Sequence, residues 1–237
     1  MLLPGTNLAG FINTFAMLAK ELISDVIPAL RTSDSGQKAL YWMDIFRISH
    51  LPIVNNEDFL GLISDKDIYD YNMAEEPIGN HNLSLFSPYV TEDQHVYEVI
   101  ELASRLSLSI VPVLSNNNHY KGVITQNDLI HYFADFSALK EPGAIIILEM
   151  SIHDYSLSQI SQIVESNDAK ILSLYISSHS SSTRLELTLK INKSDLTSII
   201  QTFTRYNYTI QSTFMDHDDM DSLYENRYEM FMKYLSI

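Results

Sequence analysis

DSGQKALYWMDIFRISHLPIVNNEDFLGLISDKDIYDY, residues 34–71, and DQHVYEVIELASRLSLSIVPVLSNNNHYKGVITQNDLIHYF, residues 93–133, are two copies of one pattern. Asp34 aligns with Asp93, Pro52 with Pro112, Gly61 with Gly122 and Asp67 with Asp128. The offset grows from 59 through 60 to 61 residues along the copy. Growth by single residues between fixed anchors is what the loops of a duplicated structural unit tolerate.

Each copy follows the same physical grammar. A helix comes first: Ala39, Leu40, Met43, Ile45 and Phe46 recur at helical spacing, as do Val96, Val99, Ile100, Ala103 and Leu106. A short apolar strand follows, Leu51–Val54 or Val111–Leu114. The Asn-rich stretches at 55–58 and 116–119 suit a hairpin turn. A second strand, Phe59–Ile63 or Tyr120–Ile124, pairs back. Ser64 or Thr125 then opens a second helix, with Asp67 or Asp128 three residues on. That spacing matches an N-cap with an acidic first turn.

Strand-Pro-strand, turn, apolar-Gly-apolar-apolar-Ser/Thr-x-x-Asp resembles the CBS (cystathionine-β-synthase-type) motif. Two copies resemble a tandem CBS pair over residues 17–137, with motif 1 at about 19–75 and motif 2 at about 83–136. The resemblance implies a pseudo-symmetric disc with two clefts for adenosine-containing ligands. By the same resemblance the hydroxyls of Ser64 and Thr125 meet phosphate, and Asp67 and Asp128 hold the ribose diol. It also implies that backbone near His50, Leu51, Ile110 and Val111 reads the adenine edge, with Ile27 and Tyr89 against the base. The chemistry is sound: a helix N-terminus presents free N–H groups and a positive dipole end, and a carboxylate accepts two hydrogen bonds from a diol. The same residues also serve as ordinary helix caps that need no ligand, and both readings stay open. Arg31, Arg47, His50 and Lys66 lie near the first motif in sequence, and Arg105, His119 and Lys121 near the second. By that count copy one is the better equipped. So few cations suit AMP, ADP or another weakly charged adenosyl compound better than a triphosphate.

Glu141-Pro142-Gly143 breaks the pattern. Beyond it come a strand at 144–150, a helix at 156–165 with Leu157, Ile160, Ile163 and Val164 on one face, and a strand at 169–177. A strictly alternating strand follows at 184–191, then a helix capped by Ser194 or Asp195 and a strand at 206–215. The order β-α-β-β-α-β is the split βαβ arrangement. The segment 144–216 is similar to an ACT domain, which implies either amino-acid binding or sheet-to-sheet pairing. Its first loop, residues 151–156, lacks the glycine that amino-acid-binding relatives carry, which favours pairing. The whole chain therefore reads as α/β (α+β): two β-α-β-β-α units, a ferredoxin-like ACT-like domain and a C-terminal amphipathic helix at 217–237.

Residues 1–16 are apolar without a positive charge and read as a poorly ordered leader before a start at Met17. The acidic cluster at 216–221 reads as a helix start rather than a cation site. With 30 acidic and 15 basic residues, the net charge of −15 repels nucleic acid. No segment has the apolar length to cross a bilayer. The absence of cysteine fits a reducing cytoplasm. No nucleophile elbow, paired-His metal motif or phosphate-binding glycine loop occurs. The expectation is a non-catalytic regulatory protein that requires no cofactor or metal. It would bind an adenosyl ligand, pair as a homodimer and act on a protein client. A ligand-free assembly module is the alternative.

Overall fold

The computed structural model describes residues 17–72, 74–81, 87–178 and 183–215, apart from the side chain of Phe136. The expected leader and the C-terminal helix lie outside the described residues. The chain divides into two compact units, Met1–Tyr132 and Phe133–Ile237.

In the first unit each copy folds as read. Helix α1 spans Gly36–Phe46, and Ser35 caps it by accepting the Lys38 N–H at 3.3 Å. Strands β1 (His50–Asn55) and β2 (Asp58–Ser64) form an antiparallel hairpin, and α2 spans Asp65–Asp70. The second copy runs through β3 (Val90–Thr91), α3 (Val96–Leu106), β4 (Ile110–Leu114), β5 (Tyr120–Thr125) and α4 (Gln126–Phe136). Strand β3 lies parallel to β4, and β5 returns antiparallel to it. The first copy repeats this with one bridge, Leu30 parallel to Ile53.

Ala39, Met43, Val96, Val99 and Ala103 point into one apolar core that both copies share. Ile45, expected on that face, is 47% exposed, because it lies two positions past Met43 and therefore off the buried stripe. The equivalent rings of Phe59 and Tyr120 stack across the repeat, 6.4 Å apart. The Tyr120 N–H donates to the Glu57 carbonyl at 2.8 Å.

The second unit holds β6 (Ala144–Ser151), α5 (Leu157–Glu165), β7 (Ile171–Ser178), β8 (Arg184–Ile191), α6 (Thr197–Arg205) and β9 (Thr209–Phe214). Its antiparallel sheet runs in the order β7-β8-β6-β9, the ferredoxin-like arrangement. Leu185, Leu187, Leu189 and Ile191 alternate inward from β8. They meet Ile160 and Ile163 from α5 and Ile199 and Phe203 from α6 in a second core. Leu157, expected on the buried face of α5, is 49% exposed, since it opens the helix next to the Ser156 cap. The expected Ser194 or Asp195 cap is displaced: Leu196 holds the N-cap position of α6. Asp195 still accepts the Thr197 N–H at 2.9 Å, so its carboxylate serves the first turn from one residue further back.

Candidate ligand-binding site

The second helix of each copy begins with the same closed hydrogen-bond ring. Ser64 Oγ donates to Asp67 Oδ2 at 2.7 Å and accepts the Asp67 N–H at 3.1 Å, while the Ser64 N–H reaches the same Oδ2 at 2.9 Å. Thr125 and Asp128 repeat this at 2.6, 3.1 and 3.0 Å. Both carboxylates cap through one oxygen. Their Oδ1 atoms take no hydrogen bond among the described residues, which leaves each able to accept from a hydroxyl pair.

The surroundings of the two rings differ. A cleft of about 550 Å³ opens beside Thr125 and Asp128 at the N-terminus of α4. Val26 and Ile27 form an apolar wall, Ser109 lies at the start of β4, and Arg47 comes from the C-cap of α1 in the other copy. The structure thus brings together Ile27, Thr125 and Asp128 of the residues expected from sequence. Ser64, Asp67, His50 and Tyr89 do not line this cleft. Leu51, Ile110 and Val111 are buried in the core and do not line it either.

Strand register shows why Ile27 and Tyr89 are not counterparts. Leu30 lies beside Ile53 and Val90 beside Val113, which sets Ser87 against Ile27. Tyr89 therefore matches Ala29 and stands 45% exposed. Arg47 is the residue that sequence proximity misplaced. In sequence it lies beside motif 1, yet in the structure it borders the cleft of copy two. The signal lay in the repeat: a residue just before one copy's first strand lies across the pseudo-twofold axis from its own motif.

His50 joins the two halves. Its Nδ1 lies 3.0 Å from Ser109 Oγ and accepts the Ser109 N–H at 3.3 Å. Ser109 Oγ also accepts the Ser49 N–H at 3.0 Å. Burial holds the imidazole below its ordinary pKa, against the opposing pull of Asp65 and Asp67.

The second unit has a cleft of its own, about 520 Å³, bordered by Glu149, Asp154, Arg184 and Tyr208. Glu149 and Arg184 form an ion pair across β6 and β8. The Tyr208 hydroxyl donates to Gln159 Oε1 at 2.7 Å. Burial raises the Tyr208 pKa, with Asp154 adding to the rise. Among the described residues no cluster of three His, Asp or Glu side chains has the arrangement to hold a metal ion. Nor is any described helix long and apolar enough to cross a membrane.

In this unit helix, hairpin and capped helix repeat about a pseudo-dyad. The CBS domain family matches residues 19–74 and 80–135, so this unit is a tandem pair of CBS domains. A CBS domain pair/ACT domain protein from Thermotoga maritima is 18% identical, with 50% of this chain and 98% of that one covered at a TM-score of 0.44. CBSX2, solved in complex with AMP, is 14% identical, covering 50% and 96% at 0.43. The CBS domains of a transcriptional regulator from Streptococcus pneumoniae are 20% identical, covering 48% and 97% at 0.43.

Proposed function

We propose that this protein is a non-catalytic regulatory module that binds an adenosine-containing ligand in its CBS pair, AMP or ADP fitting best. One observation carries the reading. The cleft beside Thr125 and Asp128 combines an apolar wall, a helix N-terminus, a hydroxyl and a carboxylate with a free oxygen. Val26 and Ile27 suit a base, Asp128 Oδ1 a ribose diol, and the start of α4 a phosphate. CBS proteins include one solved with AMP, which agrees with this chemistry. Ligand binding would shift the population of assemblies by favouring the geometry in which the cleft is closed around it. The second unit, which we read as an ACT-like pairing domain, would carry the change to a homodimer partner or a client protein.

The closed capping rings favour a second reading. Both capping rings close without ligand, as in a pair of domains that only assembles. Thermal unfolding with AMP, ADP, ATP, S-adenosylmethionine and NAD separates the two. At a hundred times Kd a ligand stabilises the fold by about 2.7 kcal/mol. Asp128→Asn keeps an acceptor for the cap while weakening the charge-assisted grip on a diol. It should lose most of that shift while its own unliganded Tm stays near the parent's. No shift with any of the five compounds leaves the assembly reading standing.

A further inference from the structure

We infer that the two clefts of the CBS pair are unequal, and that the second is the single tight seat, selective for a nucleoside monophosphate through Arg47 of the first copy. The inference rests on the adenosyl-binding reading and adds the ligand's charge, its stoichiometry and the residue that selects it.

Two independent differences between the copies support it. The first lies at the helix starts. In copy one the Lys66 N–H is already taken by its neighbour's carboxylate, Asp65 Oδ1, at 2.7 Å. A negative group therefore sits where an incoming phosphate would go. In copy two the equivalent of Asp65 is the neutral Gln126, and the Asn127 N–H has no partner among the described residues. Helix α4 runs for eleven residues against six in α2, so its aligned N–H groups give the stronger dipole end.

The second difference lies across the pseudo-dyad. Arg47 and Ser107 hold equivalent C-cap positions of α1 and α3, both in the left-handed conformation with φ of 54° and 53°. The position that faces the second cleft is a guanidinium, and its counterpart is a neutral hydroxyl. Among the described residues the Arg47 guanidinium pairs with Asp44 alone, at 3.0 Å, in a pair exposed to solvent. Exposed pairs of this kind are weakly held, so a phosphate dianion can draw the guanidinium away. One guanidinium and one open helix start match the charge of a monophosphate, about −1.5 to −2. They leave the further charge of a triphosphate uncompensated beside the Asp128 carboxylate.

Isothermal titration of the full chain with adenosine and AMP tests this. AMP should bind once per chain, about tenfold or more tighter than adenosine, as one charge-assisted phosphate contact provides. Arg47→Gln should remove most of AMP's advantage over adenosine, the open helix start keeping the remainder, and leave adenosine unchanged. Asp65→Gln should leave the AMP affinity of the tight site as it was. Adenosine binding with no preference for AMP would overturn the inference and spare the adenosyl reading. So would two equal sites, or an AMP preference that Arg47→Gln leaves undiminished. Binding of neither compound would overturn both.

Discussion

At the scale of single residues, the repeat is most informative where it fails. Thr125 and Ser64 are interchangeable as caps, each contributing about 1 kcal/mol. His50 and Ile110 are not interchangeable. They occupy equivalent positions at the starts of β1 and β4, and only the first titrates. His50 is held below its ordinary value of 6.5 by burial. Folded, it binds fewer protons than the unfolded chain just below that pH, so stability rises with pH there and is lost on acidification below about 6.5. His50→Ile, which copies the second motif, should remove this loss. Urea unfolding at pH 7.5 and 5.5 measures it, and the parent should lose more stability than the variant. Equal losses would mean that His50 does not titrate in this interval.

At the scale of elements, backbone approach shapes the cleft as much as side chains do. Gly122 in β5 has φ of +150°, and a Cβ there would lie 2.5 Å from Ile23 Cγ2 and 3.1 Å from the Ser24 carbonyl. The Ser24 N–H donates to Val123 at 2.8 Å, and Ser24 lines the cleft beside Ile27. Gly122→Ala should cost about 2 kcal/mol through strain and overpacking. By pushing the 23–27 segment off β5 it should also weaken AMP binding, read by titration at a temperature where the variant remains folded. Unchanged affinity would show that this wall does not contact the ligand. The helix-hairpin-helix order of both copies and the alternation of β8 were legible because local periodicity encodes them. The capped helix starts were legible because Ser/Thr-x-x-Asp acts within one turn. The cleft that Arg47 borders was not, since Arg47 and Asp128 lie far apart in sequence and come to one cleft only through the pseudo-dyad. The end of α2 is local as well: Asn72, just past the Tyr71 C-cap, takes the left-handed conformation with φ of 51° that stops a helix.

At the scale of the whole molecule, the two units keep separate cores. Met43, Val99 and Ile124 belong to one, while Leu187, Ile199 and Phe203 belong to the other. A ligand stabilises only the cooperative unit that binds it, by RT ln(1 + [L]/Kd). If the cores unfold as independent units, calorimetry of the full chain should show two transitions, and saturating AMP should raise only one. The assignment of the other can be made by mutation. Phe203 is fully buried, so Phe203→Ala should destabilise its own unit by about 3–5 kcal/mol. It should lower the transition that AMP leaves in place and not the one that AMP raises. One shared transition that responds to both AMP and Phe203→Ala would instead mean that the units unfold together. The second unit would then feel ligand binding through stability itself, and no separate hinge would be needed to carry the signal.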